Sequence, residues 1–286
     1  MAEISALMVK NLRDKTGAGM ADCKKALVEA DGDMNLAIEI LRKKGAASAA
    51  KRADKSANEG MIIAQANSAG NVASIIEINC ETDFVARNAE FVNYVTTVAN
   101  AYLDNAVGSV DELFALSYNG TKILDLHNEI LAKFSEKIEA RRMDRWVSEG
   151  FISSYIHAGN KLAVLLEVSA PNLNEDAQLL VRDIAMQIAA MNPQFINREQ
   201  VDNVTLAKEV EIYKQQAIEQ GKKEEIAEKI AQGRLEKFYT ENCLIEQAFV
   251  KDGGMTVTDV LKKVSDLVGT EVKVTRFLRY ALGEEA

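Results

Sequence analysis

The sequence predicts an α+β protein in three parts: a small three-helix module, a core of two similar α+β half-domains, and an antiparallel helical hairpin inserted in the second half-domain. Three observations carry this reading. Short apolar stripes separated by Gly and Asp fill the opening segment; a strand-turn-strand pattern near residue 60 returns near residue 150; and a stretch rich in Lys, Glu, Gln and Ala breaks at Gly221-Lys222-Lys223. The expected boundaries are 1–55, 56–148 and 149–286, with the hairpin over 204–238.

Ile4, Leu7, Met8 and Leu12 form the first apolar stripe, interrupted at Thr16-Gly17-Ala18-Gly19. Cys23, Ala26 and Leu27 continue it on a second helix, and Leu36, Ile38, Ile40 and Leu41 mark a third after Asp31-Gly32-Asp33. Helices this short need one another to fold, so they form one module, expected to fold apart from the core. Between Gly45 and Gly60 the composition turns to Ala, Ser and Lys, which reads as a linker. Arg42, Lys43, Lys44, Lys51, Arg52 and Lys55 either meet solvent and favour the end of the third helix or touch phosphate.

Downstream the chain repeats itself. Glu59-Gly60-Met61 recurs 90 residues later as Glu149-Gly150-Phe151, Ala69-Gly70-Asn71 recurs after 89 as Ala158-Gly159-Asn160, and Ile75-Ile76-Glu77-Ile78 recurs after 90 as Leu165-Leu166-Glu167-Val168. Each copy reads as strand, glycine turn, strand and helix, the helices being roughly Phe91–Tyr102 and Glu175–Met191. Leu179, Leu180, Ile184 and Ile188 fall on one face of the second, which covers one side of its sheet.

The copies differ at the exit of the second strand. The first leaves through Glu81-Thr82-Asp83-Phe84-Val85, an acidic and aromatic turn; the second leaves through Ser169-Ala170-Pro171-Asn172, a plain one. The repeated fold therefore does not demand the aromatic tip. Thr82 and Asp83 suit the cap of a helix over Ala86–Ala99, with Phe84 in its first turn. Two readings remain at this point: a presented tip, or a capped helix whose Phe84 folds back onto its own core.

Val210, Tyr213 and Ala217 before Gly221, and Ile226 and Ile230 after it, recur at three- and four-residue spacing and give the hairpin. The tail reads as a helix over Val257–Leu267 and a strand in which Val272, Val274, Leu278, Tyr280 and Leu282 alternate, with Arg276 the exception, before Gly283-Glu284-Glu285-Ala286. Trp146 reads as core.

Composition narrows the function classes. In 286 residues, 48% hydrophobic and 27% charged, the net charge is −9, which disfavours a surface that grips nucleic acid throughout. Cys23, Cys80 and Cys243 are odd in number and far apart, so they read as free thiols of a reducing cytosol. The opening Met1–Asn11 lacks a basic run followed by a long apolar core, so no signal or membrane span is expected. No GxxxxGK[ST] loop is present, and two histidines, His127 and His157, leave no HExxH site. No cofactor, metal or bound nucleotide is expected.

The segment Glu77–Asn88 resembles, residue for residue, a signature of the bacterial elongation factor Ts family. Leu12–Leu27, containing Thr16-Gly17-Ala18-Gly19-Met20-Ala21-Asp22-Cys23, is similar to the family's N-terminal motif. Asp183–Pro193 and Glu225–Phe238 match as well, so the resemblance spans nearly the whole chain. It implies an N-terminal module of the ubiquitin-associated type, a protruding coiled coil, and guanine-nucleotide exchange on elongation factor Tu by protein contact, without covalent chemistry, in the cytoplasm. It further implies that Thr82, Asp83, Phe84 and Val85 dislodge the partner's magnesium, and that Leu12, Arg13, Gly19, Met20, His157, Gly159 and Met186 bind the partner. His157 otherwise reads as a turn histidine and Met186 as core. Lys223, at a hairpin tip where Pro is common, and Ala158, Lys161 and Ala163 depart from the family pattern. The alternatives are a ribosome- or nucleic-acid-binding protein using segment 42–55, and an enzyme with Asp83 and Glu81 as acid and base.

Overall fold

The computed structural model of the chain describes residues 4–52 and 54–284, apart from the side chains at 46 and 48–51. Met1–Glu3, Ala53, the Lys51 side chain and Glu285-Ala286 lie outside it. The opening stripes form α1 (Ala6–Thr16), α2 (Met20–Glu29) and α3 (Met34–Lys51). Ser5 caps α1 by accepting from Met8 N, and Gly17 closes it in the left-handed region at φ 67°. Leu12, Cys23, Ala26, Leu27 and Ala37 meet in a small buried core. Leu7 and Leu36 lie on the exposed side instead, at the edge of a stripe too narrow to cover them.

The first part of the expected linker, through Lys51, is helix. Its Ala-rich, Lys-bearing composition favours α3 through Lys51, leaving 52–58 as the connection. The module does not stand apart either. α3 packs on α7 (Ile123–Phe134), and a Cβ on Gly45 would sit 2.7 Å from Ala132 N, so the absence of a side chain permits that approach.

The first half-domain opens with β1 (Glu59–Ala66) and β2 (Val72–Cys80), followed by α4 (Asp83–Ala86) and α5 (Ala89–Asp104). The single helix expected here is thus two, because Asn88 starts a new cap by accepting from Glu90 N. Then come α6 (Val110–Ala115), the two-residue strands β3 (Ser117–Tyr118) and β4 (Thr121–Lys122), α7, and β5 (Ile138–Val147), which pairs antiparallel with β2. The second half-domain has β6 (Phe151–Ile156), β7 (Leu162–Val168) and α8 (Glu175–Met191). α9 (Asn203–Glu219), α10 (Glu224–Asn242), β8 (Ala248–Phe249), β9 (Asp252–Thr256) and α11 (Val257–Val268) follow, and β10 (Val274–Ala281) pairs antiparallel with β7.

The sheet orders β1-β2-β5 and β6-β7-β10 are the same architecture twice. Gly60 and Gly150, at the equivalent position, face the same constraint. A Cβ there would lie 2.2 Å from Ile78 O and 2.1 Å from Val168 O, respectively, so no side chain fits. α5 covers the first sheet through Phe91, Val95 and Val98, while α8 and α11 cover the second through Val181, Ile184 and Val260.

The sheets meet through a pseudo-two-fold interface that extends the repeat to the third strands. Ile62, Ile75 and Trp146 from one half pack with Ile152, Leu165 and Tyr280 from the other. Ile62 N donates to Asn160 O and Ile152 N to Gly70 O, both at 2.7 Å. Arg142 on β5 bonds buried Glu77 (2.6 Å) and stacks on Tyr280 of β10; Arg276 on β10 bonds Glu167 (2.5 Å) and stacks on Trp146 of β5. A register shift between Val274 and Arg276 puts Val274, with Val272, on the face covered by α8 and α11, while Arg276, Leu278, Tyr280 and Leu282 face the other half, so the expected single alternating face is split in two. Trp146 is buried, as expected.

α9 and α10 lie side by side, joined by four residues, with Ala217, Ala227 and Ala231 buried between them. Lys214 reaches Glu224 and Glu228, and Arg234 reaches Gln216, a pairing that runs antiparallel. At the base, Arg198 forks to Glu236 and Glu246 and stacks on Tyr239. Among the described residues no helix is long and apolar enough to cross a membrane.

Candidate functional site

The aromatic tip is built where β2 leaves its sheet. Thr82 adopts extended backbone and caps α4, its Oγ1 accepting from Val85 N at 3.4 Å. That four-residue turn buries Val85 and Ala86 against the first sheet and throws the intervening ring outward: Phe84 is 83% exposed, the most exposed of the large apolar side chains among the described residues. The reading in which Phe84 folds back onto its own core is therefore overturned. Val85 occupies that apolar position instead. Asp83 lies beside Phe84 and pairs with Arg87 one turn on, at 3.2 Å.

Beneath the ring the backbone is held by charges. Arg52, from the connection after α3, forks onto the Glu81 carboxylate with two bonds of 2.6 Å, and Lys137 N donates to the same carboxylate at 2.6 Å. The Arg52 hydrogen bond, chiefly, holds the Glu81 carboxyl down at about 2. It is ionised and committed at neutral pH, which removes Glu81 as the acid of an acid–base pair. The Glu136 carboxylate, at the entrance to β5, accepts from Glu81 N (3.1 Å), Thr82 N (3.0 Å) and Thr82 Oγ1 (2.7 Å). Cys80, below, donates to Thr82 O, and burial pushes its thiol up to about 12. It is an inert packing group.

Two of the other expected contact regions converge on this tip. On one side, Lys133 lies along Gly17 of the α1–α2 loop and pairs with Glu90 at the start of α5, which brings exposed Arg13, Gly19 and Met20 to the same flank. On the other, Lys161 bonds Glu59 at 2.7 Å, and Glu59 faces Cys80 across the ladder, so the turn carrying exposed His157 and Gly159 borders the exit of β2. Tyr155 Oη lies 3.0 Å from His157 Nδ1. Met186 is half-buried on α8 in the other half-domain. Leu12 is a correction: it is wholly buried in the module and offers a partner no surface, because its helix needs that side chain inside.

The basic segment 42–55 is partly engaged within the chain. Arg42 pairs with Glu129, Lys44 with Glu29 and Arg52 with Glu81, while Lys43 and Lys55 are exposed and the Lys51 side chain lies outside the described residues. Glu136 and Arg52 are the residues that sequence reading missed. Their partners lie 54 and 29 residues away, and no periodicity signals such a pairing.

The duplicated α+β core thus carries, at the exit of β2, a solvent-exposed aromatic turn that has no counterpart at the exit of β7. The family model described as Elongation factor TS matches residues 81–284. Elongation factor Ts of Clostridium kluyveri is 46% identical over 285 residues, covering 98% of this chain and 93% of that relative. Those of Chlorobium phaeobacteroides (46% over 288 residues, 99% and 100% coverage) and Chloroherpeton thalassium (45% over 290 residues, all of both chains) are equally similar. The chain belongs to the elongation factor Ts family, and with it to translation elongation in protein biosynthesis.

Proposed function

We propose that the chain is a guanine-nucleotide exchange factor that binds elongation factor Tu carrying GDP and magnesium, loosens the ion and speeds GDP release, so that GTP can enter. The observation that carries this reading is the exposure of Phe84 on a braced turn that the repeated fold does not need. Phe84 enters between apolar or aromatic groups of the partner, and burying such a ring is worth roughly 1.5–3 kcal/mol. Asp83 engages polar groups beside it and disturbs the magnesium network, which removes an electrostatic anchor of GDP. Thr82 and Val85 hold these two in place.

The energetics follow from linkage: a factor that weakens nucleotide binding by some ratio is itself bound more weakly by that ratio when nucleotide is present. Each tenfold takes about 1.4 kcal/mol of differential interaction. Arg13, Gly19 and Met20 of the module, read as the ubiquitin-associated type, and His157, Gly159 and Met186 of the core supply the remaining contacts. α9 and α10 serve as the family's coiled coil. No covalent step is involved. The test is release of fluorescent GDP from elongation factor Tu: the chain added at substoichiometric amounts should accelerate release and turn over, and release at the unassisted rate would overturn the reading.

A further inference from the structure

We infer that Glu136 is a positioning residue for exchange, fixing the angle at which the Asp83-Phe84 turn is presented. The inference rests on the exchange reading of that turn. One carboxylate takes up the two successive amide protons of Glu81 and Thr82 and the Thr82 hydroxyl, at 2.7–3.1 Å. These are the residues at which the chain leaves the β1–β2 ladder, where Cys80 is the last paired position. Without Glu136 the two amides and the hydroxyl lose their acceptor at the hinge of the turn.

The same Thr82 hydroxyl that donates to Glu136 accepts from Val85 N, so the carboxylate also orients the cap of α4. Arg52 and Lys137 N also hold the Glu81 side chain, so the turn is tied both to the connection after α3 and to the segment that opens β5. A wedge that acts by geometry requires such support, since a ring swinging on a loose turn spends its insertion energy on being ordered. Glu136 touches no partner group in this account. It acts through Thr82 and the backbone.

The experiment compares full-length wild type, Glu136→Ala, Glu136→Gln, Phe84→Ala and the Glu136→Ala/Phe84→Ala double variant by two readouts. Amide hydrogen exchange should rise about tenfold or more at Glu81 and Thr82 in Glu136→Ala, while Ile76 and Ile78 in the same strand keep their protection and report an intact fold. GDP release from elongation factor Tu at saturating factor should fall roughly fivefold in Glu136→Ala with half-saturation nearly unchanged, and less in Glu136→Gln, which keeps one acceptor oxygen. In the Phe84→Ala background the same substitution should cost less than about twofold, because both act through one element. Unchanged exchange at Glu81 and Thr82 overturns the bracing. Loosened amides with full GDP release, in a protein whose Phe84→Ala variant is slow, overturn the positioning role. Wild-type release by Phe84→Ala instead removes the wedge on which that role rests, and release at the unassisted rate by wild type removes the exchange reading itself.

Discussion

Phe84 is an apolar ring left in water, and the residues around it explain why it stays there. Val85 and Ala86 take the inward positions of α4, Thr82 and Glu136 set the entry angle, and the ring is left pointing away. The same residue-scale logic, in which a charge is held by its partner, produces different outcomes at the two arginine clasps. Glu77 has no exposed surface and is met by Arg142 and Arg141, whereas Glu167 and Arg276 keep contact with solvent. Arg142→Ala leaves the buried carboxylate with the longer Arg141 contact and Asn79 alone and should cost about 3 kcal/mol, the low end for a broken buried pair. Arg276→Ala, at the equivalent position, should cost about 1 kcal/mol or less from its screened ion pair, with its stacking on Trp146 adding little. Urea unfolding of both variants checks the contrast, and equal losses would contradict the unequal burial of the two clasps.

At the scale of elements, α7 carries a buried titratable group between the module and the first sheet. His127 is desolvated, its Nδ1 lying 2.7 Å from Tyr94 Oη and its ring against Phe114, and burial pushes its pKa down to about 4. Its folded value lies below the unfolded one, so the unfolded chain binds the proton first. Stability is then complete above about 6.5 and is lost as pH falls toward about 4. Wild type should lose on the order of 2 kcal/mol between pH 7 and pH 5, and His127→Gln should be nearly flat over that window. A slope unchanged in the variant would assign the loss to other groups. The α9–α10 hairpin is largely solvated, and at its base Phe238 packs with Val201 and Cys243, which lie outside the two helices. Replacing 204–237 by a short flexible closure should therefore preserve cooperative unfolding of the core, and a broadened transition would contradict this. The elements legible in sequence were those whose signal is local. The glycine and strand repeats of the hairpins, α8 and α11 came from period and turn residues, and the Gly60/Gly150 pair repeats because each glycine passes too close to its neighbour strand for a side chain. The matching third strands were not legible. Arg142 and Trp146 recur as Arg276 and Tyr280, but at an offset of 134 rather than 90, because the two copies carry insertions of different length. α3 extended through a stretch read as linker because its Ala and Lys residues favour helix and Gly45 docks it on α7, a contact made only in the folded chain.

For the whole molecule, the parts converge on one flank. The module reaches the start of α5 through Gly17, Lys133 and Glu90, the connection after it reaches the turn through Arg52, and the second half-domain reaches the end of β2 through Lys161 and Glu59. The proposed exchange role accordingly rests on the one exit of the pseudo-two-fold core that carries an exposed aromatic turn. Site legibility divides the same way: Asp83 and Phe84 stood out because the second copy lacks them, while Glu136 and Arg52 were hidden because their contacts are made only in the folded chain. The most direct test of the wedge is GDP release from elongation factor Tu driven by Phe84→Ala under subsaturating factor, beside Ser169→Ala at the corresponding exit of the second copy. Phe84→Ala should slow release on the order of tenfold, the loss expected from about 1.4 kcal/mol of insertion energy, while it remains folded and still binds the nucleotide-free partner, and Ser169→Ala should change release little. Release at the wild-type rate by Phe84→Ala would contradict the wedge.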